Sequence, residues 1–84
     1  IVKNLQQLTE RDRMEEFMFL GLRMMEGVSM EKFERYFGKT YMEVYGKVQK
    51  RMEDKRFLIN DNGYVKLTEF GIDLSNYVMS EFLF

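Results

Sequence analysis

The sequence predicts a mainly α-helical fold with one β-hairpin, in the α+β class. Three observations carry it. Apolar residues recur at helical spacing through most of the 84 residues, Ser and Thr stand where helices start and Gly where they stop, and one Asn-Asp-Asn-Gly run separates two short β-type segments. The length suits one domain with one modest core, and 45% hydrophobic against 32% charged residues is a globular balance, so the chain folds.

The elements follow in order. Ile1 to Leu8 read as an N-terminal linker segment. Thr9 followed by Asp12 signals an N-cap, and the periodic run from Glu10 to Glu26 stops at Gly27, which predicts a first helix of that span. Ser29 caps a short second helix through Tyr36 or Phe37, ended by Gly38. Thr40 with Glu43 forms a capping box for a third helix reaching about Asp54. Phe57-Leu58-Ile59 and Tyr64-Val65-Lys66-Leu67 are strands joined by Asn60-Asp61-Asn62-Gly63, whose residues tolerate positive φ. Thr68 caps a last helix in which Phe70, Leu74, Tyr77, Val78 and Phe82 share the expected core face.

Helix, helix-turn-helix, hairpin and closing helix is the order of a winged-helix domain: four helices plus a two-stranded wing around one core, spanning residues 1–84. Such domains commonly bind DNA through the third helix. Here Tyr41, Val44, Tyr45, Val48 and Met52 form the core side of that helix, and its outer face carries Glu43, Lys47, Lys50 and Asp54. The two carboxylates repel phosphate as the two lysines attract it, the hairpin tip holds Asp61 with only Lys66 nearby, and the net charge is −1. Nucleic-acid binding is therefore disfavoured, and a solvated charged face is the plainer account.

The absence of cysteine and histidine removes thiolate nucleophiles, sulfur-ligated metal sites, the Ser-His pair and the commonest general base. No catalytic, cofactor or metal residue is assigned. No apolar run reaches the roughly 18 residues a membrane span requires, and no targeting pattern opens the sequence, so the expected location is the cytoplasm.

Two features invite a partner. The first helix places Met14, Phe17, Met18, Leu20, Gly21, Leu22, Met24 and Met25 on an apolar arc of about 200°, wider than a single buried stripe requires. Gly21 sits mid-arc, where it lets another backbone approach, and Phe19 points the other way beside Arg23. In the last helix Ile72, Met79 and Leu83 form a second stripe opposite the expected core face. That stripe either packs under the N-terminal segment or the hairpin, or it is a docking face. The eight methionines are read as core filler one by one.

The run Glu16-Phe17-Met18-Phe19-Leu20-Gly21-Leu22-Arg23, then Glu26-Gly27-Val28-Ser29, Phe33, Phe37-Gly38, Leu67-Thr68-Glu69-Phe70-Gly71 and Leu74-Ser75-Asn76 resemble the C-terminal domain of oxygen-independent coproporphyrinogen III oxidase-like proteins of the HemN/HemW-like family. The resemblance covers nearly the whole chain and is nearer the HemW-like branch, the haem chaperones. Relatives carry Pro or Thr and Arg near the turn where Glu69-Phe70 stands here. The resemblance implies a parent protein with a radical S-adenosylmethionine barrel and a [4Fe-4S] cluster on three cysteines, with haem or a porphyrin as ligand. None of those cysteines is in this chain, so it is expected to be a non-catalytic accessory domain that packs on the barrel and helps cover its opening. Phe19, Arg23, Ile72, Met79 and Leu83 are the candidate docking or anion contacts, with Arg23 suited to a porphyrin propionate because guanidinium pairs carboxylate bidentately. A surface ion pair of Arg23 with Glu26 or Glu16 is the simpler account of that residue. The alternative function is a free-standing winged-helix module binding DNA or a protein.

Overall fold

The computed structural model describes residues 9–84. The expected linker at residues 1–8 lies outside the described residues. Their order is α1 (Glu10–Leu22), β1 (Val28–Ser29), α2 (Met30–Phe37), α3 (Tyr41–Asp54), β2 (Leu58–Asp61), β3 (Tyr64–Leu67), α4 (Glu69–Asp73) and α5 (Ser75–Ser80). The class is α+β with helices dominant, as the pattern predicts.

The caps form where the sequence places them. The Asp12 N–H donates to Thr9 Oγ1 at 3.1 Å and the Thr9 N–H returns a bond to Asp12 Oδ2 at 3.1 Å. Thr40 and Glu43 make the same reciprocal pair at 3.0 and 3.1 Å. Each box satisfies backbone donors that a helix start leaves without intrahelical partners. Ser29 accepts from the Lys32 N–H and Thr68 from the Gly71 N–H, and Gly38 ends α2 at φ 69° in the left-handed region. The hairpin pairs Leu58 with Leu67 through Asp61 with Tyr64, and Asn62 and Gly63 turn it with φ of 52° and 85°. Two successive positive φ values match the right-handed strand twist, which is why Asn-Gly occupies this turn.

Three expectations are corrected. The wing has three strands in the order β1-β3-β2, because Val28 pairs antiparallel with Val65 and Ser29 with Tyr64. Gly27, at φ 83°, permits this close pairing: a Cβ there would collide with the Val65 carbonyl. The same return of the chain ends the first helix at Leu22 rather than Glu26, with Gly27 closing the turn that follows instead of capping the helix. Finally, the last helix is two helices broken at Leu74, whose φ of −116° and ψ of 33° leave the helical region, so five helices replace four among the described residues.

The break follows from a contact across the chain. Gly71 is buried so tightly against the residue that leads into β2 that a Cβ would strike the Phe57 carbonyl, and this backbone contact constrains how α4 lies. A straight continuation would carry the chain on in that direction; bending at Leu74 lets α5 lay Val78, and Phe82 just beyond it, in the core. Phe70, Leu74 and Tyr77 are correspondingly exposed rather than core.

Phe33 is the centre of the core. Its ring meets Phe17, Phe37, Tyr41 and Tyr45 with centroids 4.8 to 6.0 Å apart, spacings at which aromatic pairs add to simple burial. Met14, Met18 and Leu22 of α1, Met52 of α3, Val28, Leu58 and Val65 of the sheet, Val78 and Phe82 complete it. Gln49, unforeseen among the core positions of α3, is buried and accepts the Tyr41 hydroxyl at 2.7 Å while its Nε2 donates to Glu53 at 2.9 Å. No helix among the described residues is long and apolar enough to cross a membrane.

Candidate functional site

The corrected end of α1 builds a groove. Leu22 anchors the helix in the core, and the turn that follows throws Arg23, Met24 and Met25 outward instead of continuing the apolar arc. Facing them are Lys66 and Leu67 at the end of β3, Ile72 of α4, and Ser75, Asn76 and Met79 of α5. Together these residues line an open groove of about 480 Å³. Its walls are mainly apolar, and its polar groups are two cations and two small neutral side chains.

The cations differ in how they are matched. Lys66 Nζ lies 3.2 Å from Asp61 Oδ2, so its charge is partly neutralised by the hairpin. Among the described residues Arg23 makes no ion pair, with Glu26 and Glu16 included. An exposed guanidinium beside apolar walls is a ready partner for a carboxylate, and a bidentate pair would be favoured over a single contact.

Of the five residues expected to form a docking or anion contact, the structure gathers Arg23, Ile72 and Met79 in this groove. Ile72 is exposed, and Met79 leans partly on the core. Phe19 is partly buried on α1 and Leu83 is exposed after α5; neither lines the groove. Sequence reasoning missed Lys66, Met24 and Met25 as groove residues. The two methionines were assigned to the apolar arc of a longer helix, yet Met25 is 98% exposed. The signal that points to them is the left-handed Gly27: a chain reversing there before a strand leaves the residues ahead of it outside the helix.

Other surfaces carry less. A shallower depression of about 390 Å³ lies between the end of α3, β2 and α4, lined in part by Arg56, Ile59 and Phe70. On the outer face of α3, Glu43, Lys47, Lys50 and Asp54 are all exposed, and Arg51 is held by Glu81 at 2.7 Å. This alternation of signs offers no continuous track for a phosphate backbone.

The perturbed titrating groups lie in the core, away from the groove. Burial, followed by the nearby Tyr45 and Glu53, pushes the Tyr41 hydroxyl well above the usual tyrosine range. Burial and then Glu15 do the same to Tyr45, whose hydroxyl has no hydrogen-bond partner among the described residues. Both remain neutral at physiological pH, and neither is placed to act on a ligand in the groove.

Comparison with known proteins bears on this arrangement. The family model described as the HemN C-terminal domain matches residues 8–74. The chain is similar to the heme chaperone HemW of Lactococcus lactis subsp. lactis, at 36% identity over 80 residues, which is 95% of this chain and 21% of that protein. It is also similar to the heme chaperone HemW of Bacillus subtilis, at 35% identity over 77 residues, 92% of this chain and 20% of that protein. The chain thus spans about a fifth of the length of these curated relatives. No solved structure matches it.

Proposed function

The chain belongs to the HemN C-terminal domain family, and on that premise we propose that residues 1–84 are a non-catalytic accessory domain of a haem-chaperone-like protein, seated through the groove on the remainder of that protein. The single observation that carries this reading is the groove itself. It gathers apolar side chains from α1, β3, α4 and α5 around an unpaired Arg23, on a domain that accounts for only a fifth of its relatives' length. An apolar face rimmed by an unmatched charge gains most when a partner covers the first and neutralises the second.

In this reading the partner is the radical S-adenosylmethionine barrel that the family resemblance implies, and the domain helps cover its opening and exclude water. The barrel's [4Fe-4S] cluster does not fit the residues here. Such clusters are held by cysteine thiolates, and this chain has none. The domain is placed in the cytoplasm with its parent.

Haem or a porphyrin is the second reading for the occupant of the groove. It is favoured by three thioethers, Met24, Met25 and Met79, lying in the same apolar cleft as Arg23 and Lys66, cations suited to propionates. The Arg23 guanidinium would bind a propionate and orient the ligand edge.

Solution NMR of the labelled chain separates the two. It is titrated with haem and, separately, with a relative's heme chaperone lacking the corresponding segment. Amide shifts at Arg23, Ile72 and Met79 on adding the truncated protein support docking, and the same shifts with haem alone support the second reading. No shift at these positions in either titration overturns both.

A further inference from the structure

The eight methionines fall into populations of very different access. Met14, Met18 and Met52 are at most 2% exposed inside the core. Met30 and Met79 are partly covered. Met24 and Met25 stand at the lip of the groove at 57% and 98% exposure, and Met42 is comparably open on α3, where it does not line the groove.

We propose that Met24 and Met25 are a redox-sensitive modification site, at which oxidation to the sulfoxide closes the groove to apolar partners. The oxidant class is a hydroperoxide. The thioether sulfur attacks the terminal peroxide oxygen, an S–O bond forms as the O–O bond breaks, and the other oxygen leaves as water or an alcohol. Sulfur gives up two electrons and the peroxide is reduced by two. Selectivity comes from access, since the sulfurs of Met14, Met18 and Met52, enclosed in the core, cannot be reached without opening the fold. The consequence comes from position. A flexible apolar side chain becomes a polar, chiral one, and an apolar partner seated against the lip would have to strip water from the new S–O dipole.

The proposal rests on the groove being a docking face, and it is tested without the natural partner. The probe is anilinonaphthalene sulfonate, an apolar anion matched to Arg23 and the groove walls, titrated by fluorescence into the chain before and after graded hydrogen peroxide. Peptide mass mapping records each methionine. Ile72→Asp places the signal in the groove, where dye binding must fall.

At a dose that leaves Met14, Met18 and Met52 intact, Met24 and Met25 convert and dye affinity falls about tenfold or more, the scale of losing one buried methionine side chain. Met24→Leu with Met25→Leu keeps its affinity after the same dose, although Met42 is oxidised. The proposal is overturned if core methionines oxidise as early as the lip pair, if affinity survives full conversion of both, if the double leucine variant loses affinity equally, or if the untreated chain binds no dye. An untreated chain that binds dye but ignores the truncated heme chaperone defeats the docking reading alone.

Discussion

The buried Tyr41–Gln49 pair makes a quantitative prediction about how polar groups are held in this core. Both side chains are 1% exposed, and the hydroxyl donates to Gln49 Oε1 at 2.7 Å. Gln49→Leu keeps nearly the same volume but strands the Tyr41 hydroxyl in a site walled by Phe33, Tyr45 and Phe82. An unsatisfied buried donor costs about 1–3 kcal/mol. Glu53 loses its bond to Nε2 in the same variant, but it is exposed and water replaces that donor. Tyr41→Phe strands the Gln49 carbonyl instead and costs a similar amount. When both changes are made, neither member of the pair leaves an orphan behind, and two apolar side chains stand in its place. The double variant is therefore expected within about 1 kcal/mol of the parent, with a coupling energy that approaches the sum of the two single losses. Urea denaturation followed by far-UV circular dichroism gives the four stabilities. At this chain length each 1 kcal/mol also moves Tm by about 4–8 °C, so thermal melts check the ranking. A double variant that costs the sum of the two singles would refute the reasoning, since the pair would then contribute packing rather than mutual satisfaction.

Two further predictions concern stability. Burial raises the pKa of Tyr41 and Tyr45 above the unfolded value of about 10, so the unfolded chain releases protons there while the folded chain keeps them. Stability is thus fully present below that pH and falls as pH rises past it, by up to about 1.4 kcal/mol per pH unit for each tyrosine. Tyr45→Phe, which removes a hydroxyl with no partner, should raise the urea midpoint at neutral pH and reduce the alkaline loss; an unchanged alkaline slope argues against Tyr45 staying protonated. Gly71→Ala and Gly46→Ala should have opposite signs. The first drives a Cβ into the Phe57 carbonyl and costs about 1–3 kcal/mol despite better helix propensity, while the second meets Met42 Cε only at 3.7 Å and gains up to about 1 kcal/mol. Matched denaturation curves decide, and a stabilised Gly71→Ala would remove the stated reason for the break at Leu74.

What was legible in the sequence was local. Thr9, Ser29, Thr40 and Thr68 each bond to backbone groups three residues on, and Asn62-Gly63 turns the hairpin within its own four residues. Residue chemistry and a separation of a few positions suffice for such features, which is why the α+β class and the order of its main elements followed. The family resemblance rested on the same kind of signal, contiguous runs such as Glu16 to Arg23.

The features that were missed depend on segments far apart in the chain. Two residues, Val28 and Ser29, become a strand only because Val65 and Tyr64 are there to pair with them, and that pairing shortens α1 and turns Met24 and Met25 out of the core. Phe70, Leu74 and Tyr77 keep helical spacing, yet Gly71 lying against the Phe57 carbonyl redirects α4 and leaves them exposed while Val78 and Phe82 go in. The sequence by itself determined where the four capped helices start, where the hairpin turns and which chemistry is absent. Only the tertiary structure decided that Arg23, Ile72 and Met79 share a groove and that Phe19 and Leu83 do not, because a groove is made by backbones meeting across sequence distance, and periodicity along one helix carries no information about what lies opposite it.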